Sequence, residues 1–279
     1  MKLTLGFSPC PNDTFIFDAM IHHKIDTEGL DFEVTFDDVE TLNQKALCGT
    51  LDITKLSFHT LAYVSGQYAL LNAGSALGFG VGPLLICKNP ALLNQELSAD
   101  LRVGIPGKFT TANFLLGIAY PQLTNKQELV FSDIENALLE DRIDVGLIIH
   151  ENRFTYGEKG LHKIIDLGNY WETLTGCAIP LGGIVANRQL PLEVQQKLNR
   201  IVRKSVEFAF ANPKSGLEFI QEHAQAMDEA VMYKHIELYV NQYTIDLGLE
   251  GRKAIDKLFS IAESKEIIPV RRKNLYVEG

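Results

Sequence analysis

Long apolar runs are missing from this chain of 279 residues, and nothing in it approaches the ~20 consecutive apolar residues of a membrane span. Cysteine is sparse and scattered. Cys10, Cys48, Cys87 and Cys177 form no Cys-x-x-Cys pair, so zinc-ribbon spacing and a dense disulfide framework are both excluded. Basic residues are in deficit: 26 Lys and Arg against 35 Asp and Glu give a formal net charge of −9. That balance argues against a general binder of nucleic acid or of anionic membrane surfaces. The short run Arg271-Arg272-Lys273 reads as a solvated tail rather than a binding patch. The stretch Met1-Lys2-Leu3-Thr4-Leu5-Gly6 enters a strand at once and lacks the apolar core of a secretion signal. Internal repeats and low-complexity segments are also missing. Reduced thiols and the lack of a leader lead us to expect a cytoplasmic protein.

What is present is a globular composition, 46% hydrophobic and 22% charged, with core enough for one large domain or two smaller ones. Strand-like and helix-like segments alternate from the start. Leu3 to Phe7 reads as a strand, Asn12 to His22 as a helix, Asp31 to Asp37 as a strand and Val39 to Leu47 as a short helix. Asp52 to Lys55 begins a third strand that yields to a helix from Ser57 to Val64. Leu84 to Cys87, Leu101 to Ile105 and Gly182 to Ala186 are further strands, with helices over Thr111 to Ala119 and Ile134 to Glu140. This alternation predicts a largely parallel sheet with crossover helices. Beyond Leu190 long helices take over: Val194, Leu198, Ile201, Val202, Val206 and Ala209 trace one apolar stripe behind Pro191. Two apolar strands, Leu84 to Cys87 and Gly183 to Ala186, bracket a central block of domain size. The expected division is a first α/β lobe of residues 1–86 and 187–279 and a second of residues 87–186, with a ligand cleft between lobes. One doubly wound domain followed by a helical domain fits the same alternation.

The motifs that carry chemistry sit at strand ends. His150 closes the apolar strand Asp144-Val145-Gly146-Leu147-Ile148-Ile149, and ligands of open α/β sheets bind outside carboxyl ends of strands. Imidazole titrates near neutrality and can take a proton there; a histidine held in a structural hydrogen bond fits the same position. His150-Glu151 also begins a zinc-protease motif, but Phe154 stands where the second histidine would be needed. Gly78-Phe79-Gly80-Val81-Gly82 has the look of a phosphate loop, yet it precedes a strand and no Lys-Ser or Lys-Thr follows. It reads as a flexible hinge segment. Pro106-Gly107-Lys108-Phe109-Thr110-Thr111-Ala112 follows a strand and opens a helix, where backbone N–H groups and threonine hydroxyls suit a carboxylate. An ordinary N-cap by Thr110 or Thr111 explains the same residues. Thr54-Lys55-Leu56-Ser57 repeats the device, with Lys55 either adding positive charge or pointing to solvent. In Ser8-Pro9-Cys10-Pro11-Asn12-Asp13-Thr14 two prolines stiffen a turn, Asn12 or Asp13 caps the helix, and Cys10 reads as structural. Asn43 offers a polar contact on a short helix, although periodicity places it at the surface.

Read in order, Gly6-Phe7-Ser8-Pro9-Cys10-Pro11-Asn12-Asp13-Thr14-Phe15, Asp38-Val39-Glu40-Thr41-Leu42-Asn43, Thr54-Lys55-Leu56-Ser57, the Ala76 to Leu84 segment, Pro106 to Ala112, Gly146 to Tyr156 and Pro180-Leu181-Gly182-Gly183 form one set. The set resembles the 1,4-dihydroxy-6-naphthoate synthase family of the futalosine route to menaquinone, nearly end to end. The resemblance implies an α/β, two-lobed, periplasmic-binding-protein-like (type II) fold with an interlobe cleft, used by a cytoplasmic enzyme. It implies a carbon–carbon lyase that needs no cofactor and no metal, and that converts cyclic dehypoxanthine futalosine to 1,4-dihydroxy-6-naphthoate and dihydroxyacetone. The family's general base matches His150. Its substrate-binding residues match Asn43, Lys55, Leu56, Ser57, Thr111 and Ala112, with Thr110 in the same helix-start motif. The implied partner is a small-molecule carboxylate, with neither nucleic acid nor membrane; the oligomeric state stays open. Two alternatives remain: chorismate dehydratase of the same pathway, and a non-catalytic small-molecule binding protein.

Overall fold

A computed structural model describes residues 1–149, 152–224, 228–268 and 274–278, and the chain divides into two compact units. One comprises Met1–Gly78 and Pro180–Gly279, the other Phe79–Ile179.

The first unit opens with β1 (Lys2–Phe7), α1 (Pro11–Ile21), β2 (Asp31–Phe36), α2 (Val39–Cys48), β3 (Ile53–Ser57), α3 (Phe58–Val64), β4 (Tyr68–Leu70) and β5 (Ala76–Gly78). The second contains β6 (Leu84–Cys87), β7 (Val103–Ile105), α4 (Thr111–Ala119), β8 (Lys126–Glu128), α5 (Ile134–Leu139), β9 (Val145–Ile148), α6 (Asn152–Thr155), β10 (His162–Asp166) and α7 (Leu167–Thr175). The chain returns to the first unit through β11 (Ile179–Asn187), α8 (Leu192–Ala211), α9 (Leu217–His223), α10 (Glu229–Tyr239), α11 (Gln242–Ile245) and α12 (Gly248–Ser264).

In the first unit the described strands run in the order β2-β1-β3-β11-β4, with β5 also on β11. β1 is parallel to β2 and β3, whereas β11 is antiparallel to β3 and β4. α1 is buried along almost its whole length, with Phe15, Ile16, Phe17, Ala19 and Met20 spread around it and no solvent-facing side. It packs against α8, α9 and α10 on one face of the sheet, where Phe7 and Phe17 stack with centroids 4.5 Å apart. The expected stripe on α8 is the buried one, with Leu198, Ile201, Val202, Val206 and Ala209 in the core. Each of the Leu, Ile and Val side chains contributes roughly 1.5–3 kcal/mol by leaving water.

The second unit's described strands run β10-β6-β9-β7-β8. β7 is parallel to β8 and β9, and β6 is antiparallel to β9 and β10. Ile134, Ala137 and Leu138 of α5 pack on Leu84, Ile86 and Ile148 to build its core.

Two expectations are corrected. Neither sheet is largely parallel, because β11 lies antiparallel to β3 and β4 and β6 lies antiparallel to β9 and β10. The units part at Gly78/Phe79 and Ile179/Pro180, ahead of the expected 86/87 and 186/187 boundaries. The reason is that β6 is hydrogen-bonded wholly within the second sheet and β11 wholly within the first, so neither strand can be cut at its far end.

Candidate active site

In the first unit β1 and β3 are parallel neighbours, so their carboxyl ends lie at one edge of the sheet. Ser8 follows β1 there, and Ser57 ends β3. Side chains alternate along a strand, which puts Lys55 and Ser57 on one face of β3. Lys55 is 7% exposed, and its ammonium is ion-paired with the buried Asp13 carboxylate of α1. The choice between charge and solvent is therefore settled in favour of charge. Asp13 is held from several sides. Its Oδ2 accepts from Ser8 N at 3.2 Å and Ser8 Oγ at 2.7 Å, and its Oδ1 accepts from Asn12 Nδ2 at 2.8 Å. An ammonium carries more N–H donors than one carboxylate contact uses, and Lys55 has no second acceptor among the described residues. Leaving buried donors unmet is costly, so the site is suited to an anionic or carbonyl oxygen.

Asn43 is fully buried, contrary to the surface position expected from periodicity, because α2 lies against the end of β3. Its Oδ1 accepts from Ser57 N at 2.9 Å, and its Nδ2 donates to Ser57 Oγ at 3.2 Å and to Glu40 at 3.2 Å. Asn43 thus spends its amide on holding Ser57. Ser57 precedes α3 as its N-cap yet makes no side-chain cap bond. With Asn43 donating to its oxygen, the Ser57 hydroxyl proton has no acceptor among the described residues and is left to donate to a ligand. Leu56 is wholly buried. Gly182 of β11 pairs with Ser57; a Cβ there would come within 2.7 Å of Leu56 O and 3.4 Å of Lys55 Cε, so a side chain would press on the lysine.

Asn12 and Asp13 do not cap α1. Cys10 is the N-cap residue, buried in the turn, with its carbonyl accepting from Asp13 N at 3.0 Å and Thr14 N at 3.1 Å. Asp13 and Asn12 point instead into the Lys55 cluster, which the motif reading missed. The available signal was a pair of adjacent polar residues at the start of a largely apolar helix.

In the second unit the parallel pair β7 and β9 ends at one sheet edge. The loop after β7 leads to Thr110, whose hydroxyl accepts from Asn113 N at 3.2 Å and donates to Gly107 O at 2.8 Å. The Thr110 side chain is therefore an N-cap. Thr111 and Ala112, both buried, supply the first backbone amides of α4, and the Ala112 N–H has no acceptor among the described residues. Lys126 donates to Asn113 Oδ1 at 2.8 Å in the first turn of α4, and burial lowers its pKa. His150, two residues beyond the end of β9, lies outside the described residues. Asn152 Nδ2 donates to the buried Glu135 at 2.6 Å, and Lys159 donates to the same oxygen at 2.7 Å. Arg153 donates to Gly82 O at 2.7 Å and to Asp166 at 3.3 Å. Glu135 and Asp166 were not singled out from sequence.

The structure brings Asn43, Lys55 and Ser57 together in the first unit and Thr110, Thr111 and Ala112 together in the second. The family model described as menaquinone biosynthesis matches residues 3–264. The chain is 42% identical over 275 residues to the 1,4-dihydroxy-6-naphthoate synthase of Thermus thermophilus, with 99% of each chain covered. It is 42% identical over 275 residues to that of Streptomyces coelicolor, covering 96% of this chain and 95% of the relative. A solved structure from Archaeoglobus fulgidus matches at 35% identity and TM-score 0.88, over 96% of this chain and 98% of that one. The periplasmic aliphatic sulphonate binding protein of Escherichia coli matches in fold alone, at TM-score 0.63 and 11% identity over 100% of this chain and 94% of its own. The fold is α/β and periplasmic-binding-protein-like, as expected from the sequence. By the family model and by its full-length relatives, the chain belongs to the menaquinone-biosynthesis family, in company with 1,4-dihydroxy-6-naphthoate synthases.

Proposed function

We propose that the protein is a cofactor-independent carbon–carbon lyase of the futalosine route, converting cyclic dehypoxanthine futalosine to 1,4-dihydroxy-6-naphthoate with release of dihydroxyacetone. What supports this reading most directly is that relatives matching over nearly their full length carry the synthase name. In this reading Lys55 and Ser57 donate to oxygens of the substrate, and the amides of Thr111 and Ala112 receive its carboxylate or another oxygen. Neutral His150 removes a proton, a carbon–carbon bond breaks in a retro-aldol sense, and the remaining ring aromatises. Asn43, Leu56 and Thr110 shape the site through buried structure and backbone.

The test is product analysis after incubation with cyclic dehypoxanthine futalosine. Appearance of 1,4-dihydroxy-6-naphthoate and dihydroxyacetone supports the reading. Turnover of chorismate instead would assign the protein to the dehydratase of the same pathway, and substrate recovered unchanged would mark a binding protein. His150→Ala and His150→Asn are expected to lower kcat by roughly 10²–10⁴-fold, the usual worth of a positioned general base. Near-normal turnover in both, with wild-type circular dichroism, removes His150 from the mechanism.

A further inference from the structure

The buried polar chain behind Lys55 does not stop at Asp13. Asp13 Oδ1 accepts from Lys55 and from Asn12 Nδ2, and His235 Nε2 lies 2.8 Å from Asn12 Oδ1. Every member is buried: Lys55 is 7% exposed, Asp13 1%, Asn12 7% and His235 0%. His235 lies on α10, which packs against α1, and its ring is 4.8 Å from that of Tyr239.

The directions of these bonds follow from what each group can do. An ionised carboxylate only accepts, so Asp13 requires the NH₂ end of the Asn12 amide. The Asn12 oxygen is then turned to His235, and an oxygen only accepts. His235 must therefore present a proton on Nε2. Each bond fixes the next: imidazole N–H holds the amide, the amide holds the carboxylate, and the carboxylate holds the ammonium.

We propose that His235 is a positioning residue for Lys55, acting through Asn12 and Asp13, so that α10 aims the cation at the carboxyl edge of β3. The effect on turnover rests on the reading that Lys55 receives the substrate; the effect on Lys55 itself does not. Without the Nε2 proton, the Asn12 oxygen is left buried and unmet, and rotating the amide to relieve it withdraws the donor from Asp13. Asp13 then re-forms its contacts around Ser8 and Lys55, and the ammonium moves.

The experiment uses the full-length protein and needs no substrate for its first part. Long-range ¹H–¹⁵N correlation should show a proton on His235 Nε2 in the wild type; a neutral ring protonated on Nδ1 overturns the proposal without any variant. The ¹⁵Nζ resonance of Lys55, assigned by its loss in Lys55→Met, should shift and exchange faster with water in His235→Leu. It should return in His235→Gln, whose amide N–H can reach Asn12. An unchanged Lys55 resonance in a folded His235→Leu, or no return in His235→Gln, overturns it. In kinetics His235→Leu should raise KM roughly tenfold, the worth of about 1.4 kcal/mol, with kcat within about twofold. In a Lys55→Met background the same change should add nothing further to KM. A full additional KM effect in that background would show that His235 acts on packing alone. If the wild type turns over no substrate, the functional reading fails, and the Lys55 resonance still decides the relay.

Discussion

Ser57 and Thr110 are both N-cap residues, yet only Thr110 spends its hydroxyl on its own helix. Substitution should separate them. Thr110→Val removes a cap worth about 1 kcal/mol and should lower the unfolding midpoint with little change in KM. Ser57→Ala removes a donor that no group among the described residues uses, and should raise KM about tenfold, as loss of one hydrogen bond to a charged group does. Urea unfolding and steady-state kinetics on the same two variants check this, and the reverse ranking would assign the ligand hydroxyl to Thr110. The motif reading found both serine and threonine because strand-end hydroxyls before helices are visible in sequence. It had no means of ranking them, since the partner that frees Ser57 from capping is Asn43, an amide fourteen residues away that helical periodicity turned outward. Lys55 was ambiguous for the same reason: its fate depends on Asp13, which sequence spacing hides.

At the scale of elements, long helices were legible and short strands were not. The α8 stripe runs through many turns, and its period is unmistakable. β4, β5 and β8 are three residues each, too short for a period of two to register. The glycine segment before β6 shows how composition misleads. It reads as flexible, whereas a Cβ on Gly82 would come within 2.1 Å of the Gly168 backbone nitrogen. Gly168 lies in the first turn of α7, where Asp166 accepts from its N–H at 2.8 Å, and the Gly82 carbonyl accepts from Arg153. Two backbones thus touch, and no rotamer change relieves the clash. Gly82→Ala is expected to destabilise by about 3 kcal/mol or more, as overpacking against backbone does. Gly80→Ala, at a φ of +68° but with nothing within 4 Å, should cost only about 1–2 kcal/mol. Equal unfolding midpoints for the two variants would refute the close-approach account.

At the scale of the whole molecule, the return of the chain ties distant segments of the first unit together, and one such tie carries a pH dependence. Glu28 sits in the turn before β2, and it receives Arg200 at 2.6 Å and Lys204 at 3.2 Å from successive turns of α8. The bracketing apolar strands led to an expected division at 86/87 and 186/187, whereas the units part at Gly78/Phe79 and Ile179/Pro180; ties such as Glu28 to α8 leave no mark in the sequence at all, because nothing local links residue 28 to residues 200 and 204. The hydrogen bond from Arg200 outweighs desolvation and, with Lys204, holds the Glu28 carboxyl at about 2, against an ordinary 4.5. A depressed folded-state pKa means that the unfolded chain takes up the proton first. The stabilisation is therefore complete above the unfolded value and is lost as pH falls from about 4.5 towards about 2. Because the basic partners are half exposed, its size is modest, on the order of 1 kcal/mol or less at neutral pH. Glu28→Gln should accordingly be less stable than wild type by that amount at pH 7. The gap should narrow through the acid range, close near the folded pKa, and shrink at any pH when salt is raised. Urea unfolding of both proteins at neutral and acid pH measures it; a gap independent of pH would mean that Glu28 acts through the conformation of its turn rather than through its charge.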